Sequence, residues 1–120
     1  MSDRTVRVVR LRTEYKLANK PVKLKVEYGY AQIGGSAAKL GRKALPQDPP
    51  NSGNFKIPSP SVGQELLVKS VVSDVNDATN KCSVIYNLTG GAVDQKLISE
   101  GETENDGDPI LFYAWIKFVE

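Results

Sequence analysis

"DPILFYAWIKFVE", residues 108–120, closes the chain and decides how it folds. A surface strand alternates apolar and polar residues, because successive side chains point to opposite faces of the sheet. Here both sets are apolar. Ile110, Phe112, Ala114, Ile116 and Phe118 share one face, and Leu111, Tyr113, Trp115 and Val119 share the other. In a two-layer sandwich a strand shows one face to the core and the other to solvent. The first row suits the core, so the second needs a shield.

Three shields fit the residues. The long segment 34–63 can fold over Leu111, Tyr113 and Trp115, with Phe55 and Ile57 as its contacts. A second copy of the chain or another protein can cover them. A small ligand such as a glycan can stack on the rings. Tryptophan and tyrosine are the residue types that dominate binding hot spots and aromatic platforms.

The rest of the chain also reads with period two, and nothing long repeats at helical spacing. In "VKLKVEYGY", residues 22–30, Val22, Leu24, Val26, Tyr28 and Tyr30 alternate with Lys23, Lys25 and Glu27. "TVRVVRLRTEYKL", residues 5–17, starts with Val6 and Val8 in phase and continues with Val9, Leu11, Thr13, Tyr15 and Leu17 out of phase. A bulge near Val8–Val9 would reconcile the two halves. Asn19-Lys20-Pro21 reads as the turn into the next strand. Glu65–Val75 and Lys81–Thr89 flank "NDATN", residues 76–80, which suits a hairpin loop. A shorter strand lies in "AVDQKLISE", residues 92–100, between Gly90-Gly91 and the acidic turn 100–108.

Residues 34–63 hold five of the seven prolines and read as one long Pro/Gly-rich loop with at most a short strand near Ala37–Leu40. The pattern predicts an all-β chain: one β-sandwich domain over residues 1–120, immunoglobulin-like or C2-like, with about six to eight strands.

Composition excludes several chemistries. The 120 residues contain no histidine and one cysteine, Cys82. That removes the usual general base, the usual zinc ligands and the common serine and cysteine triads. No carboxylate pair is marked out by spacing, no cofactor motif appears, and we expect no enzymatic activity. "GGSAAKLGRK", residues 34–43, departs from the phosphate-loop spacing by one residue and lacks its Ser or Thr. The acidic turn 100–108 and the turn "DVNDATN", residues 74–80, are oxygen-rich and could meet at one end of a sandwich to hold calcium. Solvated turns explain both equally well.

Charge is uneven along the chain. Residues 1–43 carry eleven Lys/Arg against three Asp/Glu, and residues 44–120 carry five against eleven. Arg7, Arg10 and Arg12 on the first strand, with Lys23 and Lys25 on its expected neighbour, would make a basic surface. The tyrosines nearby, Tyr28 and Tyr30, fall on the face opposite the lysines, so the aromatic interleaving of a nucleic-acid platform fails.

The reading is a non-enzymatic protein-interaction or structural module of a larger assembly. It would associate with a protein partner or with itself, through Leu111, Tyr113 and Trp115 or through a sheet edge carrying Arg7, Arg10 and Arg12. The alternative is a lectin-like or small-ligand-binding sandwich, with or without calcium. No apolar run reaches membrane-spanning length and no secretory signal opens the sequence, so we expect no membrane partner. The expected location is the cytoplasm, or export without a recognisable signal.

Overall fold

The computed structural model describes residues 7–105 and 107–120. Among these residues lie nine strands: β1 (Arg7–Lys16), β2 (Val22–Tyr28), β3 (Ile33–Leu40), β4 (Lys43–Leu45), β5 (Asn54–Ile57), β6 (Glu65–Ser73), β7 (Lys81–Thr89), β8 (Gln95–Glu102) and β9 (Pro109–Val119). They form a five-stranded sheet in the order β1-β9-β6-β3-β4 and a four-stranded sheet in the order β5-β2-β7-β8. No helix occurs among the described residues.

The alternation of each strand explains why the two layers face each other. Ile110, Phe112, Ala114, Ile116 and Phe118 are fully buried, together with Leu66, Val68 and Val72 of β6. They meet Val22, Leu24 and Val26 of β2 and Cys82, Val84, Tyr86 and Leu88 of β7. The protein is an all-β sandwich with its core between the two inner faces. Cys82 serves there as a small core residue, and burial, with Asp74 nearby, pushes its thiol pKa up to about 11.

The Pro/Gly-rich segment is not a loop. It supplies most of β3 and all of β4 and β5. Its prolines fall between the strands, where no ladder hydrogen bond is lost. The small residues inside β3 fit a close approach between the layers. A Cβ on Gly34 would stand 2.6 Å from the Tyr28 ring. Breaker content therefore marked tight packing here, not irregular chain. Nor does this segment roof the C-terminal strand. Phe55 and Ile57 lie buried in the core, and β5 belongs to the opposite sheet.

Three smaller expectations change as well. β1 pairs in parallel with β9 in unbroken register from Arg7 opposite Ile110 to Lys16 opposite Val119. No bulge is needed, because Val8 simply faces outward, 38% exposed; Val6 lies outside the described residues. Tyr30 stands beyond the end of β2 with a positive φ of 58° and is exposed.

The strands on either side of "NDATN" are not a hairpin. β6 pairs with β3 and β9, whereas β7 pairs with β2 and β8. The connection is an arch from one sheet to the other, and one buried side chain holds it. Gln32 Oε1 accepts from the backbone N–H groups of Val75 and Asn76, at 2.7 and 2.9 Å. Its Nε2 donates to Asp74 Oδ1 at 3.0 Å and to the Lys81 carbonyl at 3.0 Å. Thr103 Oγ1 donates to the other oxygen of the same carboxylate at 2.6 Å. The arch and the acidic turn are thus pinned together at one end of the sandwich.

A second polar group lies between the layers. Tyr28 and Ser36 hydroxyls are 2.6 Å apart, and Ser36 and Ser70 hydroxyls 2.7 Å. Beside them the Tyr86 hydroxyl is buried without a well-formed hydrogen bond. Burial raises the pKa of both phenols.

Candidate functional site

The outer face of the five-stranded sheet answers the question posed by the C-terminal strand. In β9 the residues Leu111, Tyr113, Trp115 and Val119 are half-buried and point away from the core. The cover comes from neighbouring side chains of the same sheet. The parallel register sets Arg10 beside Tyr113 and Arg12 beside Trp115. On the other flank, antiparallel pairing sets Leu67 beside Trp115, Lys69 beside Tyr113 and Val71 beside Leu111.

Geometry within this row is specific. The Tyr113 and Trp115 rings stack with centroids 5.8 Å apart and planes 19° from parallel. The Arg12 guanidinium carbon sits 4.3 Å from the Trp115 ring centre, and Lys69 Nζ lies 5.9 Å from the centre of Tyr113. Long cationic side chains lay their aliphatic stems on apolar surface while the charged ends stay in water. The Arg12 guanidinium thus covers Trp115 and the Lys69 ammonium approaches Tyr113, so cationic side chains held by cation–π attraction shield these rings of the second apolar row.

The face grades along the strands. At one end Val8, Leu111 and Val71 form a cross-strand apolar row that meets Gly35 on β3, with the exposed Ile33 two residues further along β3 on the same face. Next come the rows Arg10–Tyr113–Lys69 and Arg12–Trp115–Leu67–Lys39. At the far end Glu14, Lys117 and Glu65 lie side by side. A depression of about 390 Å³ opens beside Trp115, bordered by Arg12, Glu14, Glu65 and Lys117. Six cations, Arg10, Arg12, Lys16, Lys39, Lys69 and Lys117, share the face with the carboxylates of Glu14 and Glu65.

The structure thus brings together five of the six candidate residues: Leu111, Tyr113, Trp115, Arg10 and Arg12. Arg7 is separate. It has inward parity at the end of β1 and lies 3.4 Å from Glu104 Oε1, an exposed pair worth about 0–1 kcal/mol. β1 is an edge strand of its sheet, as the charged pattern suggested.

The basic surface built from arginines and lysines of two adjacent strands does not form. Lys23 and Lys25 are on β2, in the other sheet, so they face the opposite side of the molecule. Lys69, Leu67 and Val71 had been invisible as site residues. Their outward parity is readable in "ELLVKSVVS", but only the β6–β9 register places them beside the rings.

The two oxygen-rich turns do meet at one end, through Asp74 and Thr103. The Asp74 carboxylate is used up by Gln32 and Thr103, and no group of three or more Asp, Glu or Cys side chains converges among the described residues. Asp106 lies outside the described residues. No helix among the described residues is long and apolar enough to cross a membrane.

Fold and face together define a β-sandwich that presents an aromatic, arginine-bearing platform on one sheet. Compared with protein-family models, curated proteins and solved structures, the chain shows no significant match. The geometry of the platform therefore carries the functional argument by itself.

Proposed function

We propose that the protein is a non-enzymatic interaction module that docks a protein partner with an acidic surface against the outer face of its five-stranded sheet. The observation that carries this reading is the contiguous set Arg12, Trp115 and Tyr113, with Arg10 and Lys69 at its flanks. Arginine, tryptophan and tyrosine are the residue types that supply most binding energy at interfaces. Here they are held on a sheet and ordered by one another, so little side-chain freedom remains to be lost on binding. The excess of cations selects an acidic surface and works against face-to-face pairing of two identical copies.

The sugar-binding alternative draws less support. Stacking on a sugar needs an open ring face, whereas Trp115 already has Arg12 over it and Tyr113 beside it.

The test is site-specific photo-crosslinking in the cell of origin, with the reactive side chain at Tyr113 and, as control, at Ile98 on the other sheet. The expected result is one acidic protein linked only from the Tyr113 position. The same pair, purified, should bind, and Arg12→Glu or Trp115→Ala should weaken it at least tenfold. Binding that is indifferent to both substitutions would overturn the proposal.

A further inference from the structure

The opposite face of the sandwich carries a second feature. Lys23 on β2 lies directly opposite Lys56 on β5, and both are exposed. Like charges opposed across an antiparallel pair are destabilising. Lys25 follows two residues along β2, about 7 Å away by strand geometry. Lys96 on β8 stands beyond Asn87, which is itself the β7 neighbour of Lys25. Four lysines thus crowd one end of this face, and none has a carboxylate within 4 Å among the described residues.

Carboxylates are fewer here: Glu27 stands two residues from Lys25 on the same side of β2, and Asp48 borders the cleft. Glu100 and Glu102 sit at the other end, on β8. Glu27, the nearest on β2, accepts a hydrogen bond from Asn87 Nδ2 at 2.9 Å. Lys56 is exposed between the buried Phe55 and Ile57, so the core does not call for lysine there. The opposed pair therefore works modestly against the stability of the free protein.

The crowd also has a shape. Lys23, Lys25 and Lys56 line an open cleft of about 720 Å³, walled by the chain at Pro46 and Pro58. Asn54, Asn87 and Thr89 add neutral hydrogen-bonding groups to the same lining, and Asp48 is its one carboxylate. Lysine ammonium groups bind phosphate and sulfate as point charges, without the planar matching that arginine needs. A concave site edged by lysines and amides suits a compact molecule that can enter it, and a flat bilayer surface cannot reach its floor.

We propose that this cleft binds a small oligoanion bearing two or more phosphate or sulfate groups. Bound anions would relieve the Lys23–Lys56 repulsion, so the cost in the free protein becomes binding energy in the complex. The site lies on the sheet opposite the aromatic platform and acts independently of it.

Calorimetric titration of the whole chain at low ionic strength, with inorganic tripolyphosphate and separately with sucrose octasulfate, tests the idea. One binding event is expected with at least one of the two probes. Lys23→Gln/Lys56→Gln should weaken it tenfold or more, while Lys39→Gln/Lys69→Gln, which removes the same charge from the other face, should leave it within about threefold. The first pair should also melt no lower than the parent protein, because a repulsion has been removed. Absence of binding to both probes, or equal weakening by the two pairs, would overturn the assignment. So would retention on phosphatidylserine vesicles without binding to either probe.

Discussion

Phe112 and Trp115 sit three residues apart on β9 and face opposite ways, so truncating each to alanine asks the fold the same question from its two sides. Phe112 is fully buried between the sheets. Phe112→Ala leaves a cavity in a packed core and should cost about 3–5 kcal/mol. Trp115 is half-buried on the outer face, where it loses different things. Removing its stack on Tyr113 costs about 0.5–1.5 kcal/mol. Removing the contact with Arg12 costs about 0.5–1 kcal/mol. Trp115→Ala should therefore lose about 1–2.5 kcal/mol from these two contacts, with the apolar burial of a half-exposed ring to add but no core cavity behind it, and so should cost less than Phe112→Ala. For a chain of this size each kcal/mol corresponds to about 4 °C in melting temperature. Urea denaturation followed by far-ultraviolet circular dichroism measures both variants against the parent. Trp115→Ala should stay folded, with a lowered midpoint and an unchanged slope. Phe112→Ala should fall much further, and failure to fold at all counts as the larger loss. Equal costs, or a greater cost at Trp115, would mean that the outward row is the inner lining, and the platform would disappear with it.

Three other perturbations probe the rest of the structure. Gln32→Leu should destabilise by about 3 kcal/mol or more, because the Val75 and Asn76 N–H groups and one oxygen of Asp74 lose a buried partner together; an urea midpoint within error of the parent would refute its role as the pin of the arch. Tyr86→Phe should be neutral or stabilising by about 1 kcal/mol, since it deletes a buried hydroxyl without a formed hydrogen bond, and a clear loss of stability would reveal a bond there. Stability should also fall in alkali. Burial raises the pKa of Tyr15, Tyr28, Tyr86 and Cys82, the last from 9.0 to about 11, so the unfolded chain releases these protons first. The Cys82 contribution is complete below about pH 9 and is lost as pH rises through about 11, while the tyrosines, raised from an ordinary 10.0, lose theirs only above that value; urea midpoints that hold or climb from pH 9 to 11 would contradict the sign.

Much of the fold was legible because alternation is a local property. The inward rows of β2, β7 and β9 follow from residue type at every second position, and each is buried as the alternation requires. Partner choice is not local. The strong turn between β6 and β7 read as a hairpin, yet the chain there crosses between layers, and the reason is a glutamine more than forty residues upstream by sequence. Breaker density misled in the same way at β3, where Gly34 is demanded by a ring from the opposite sheet. A glycine required by close packing and a glycine required by a loop look identical until the neighbour is known.

The candidate site shows the same division. That Leu111, Tyr113 and Trp115 needed a cover was visible in thirteen residues. What covers them was not, because it depends on the parallel pairing of the first strand with the last. That register sets Arg10 and Arg12 against the rings, with sequence separations of about a hundred residues, and no pattern within either strand specifies it. A shift of one residue would turn the arginines into the core and Val9 and Leu11 into water, so burial of Val9, Leu11 and Tyr15 is what locks the cations over Tyr113 and Trp115. The platform is thus a consequence of the core: the same apolar alternation that seals the sandwich on one side of β1 delivers a guanidinium to an indole on the other.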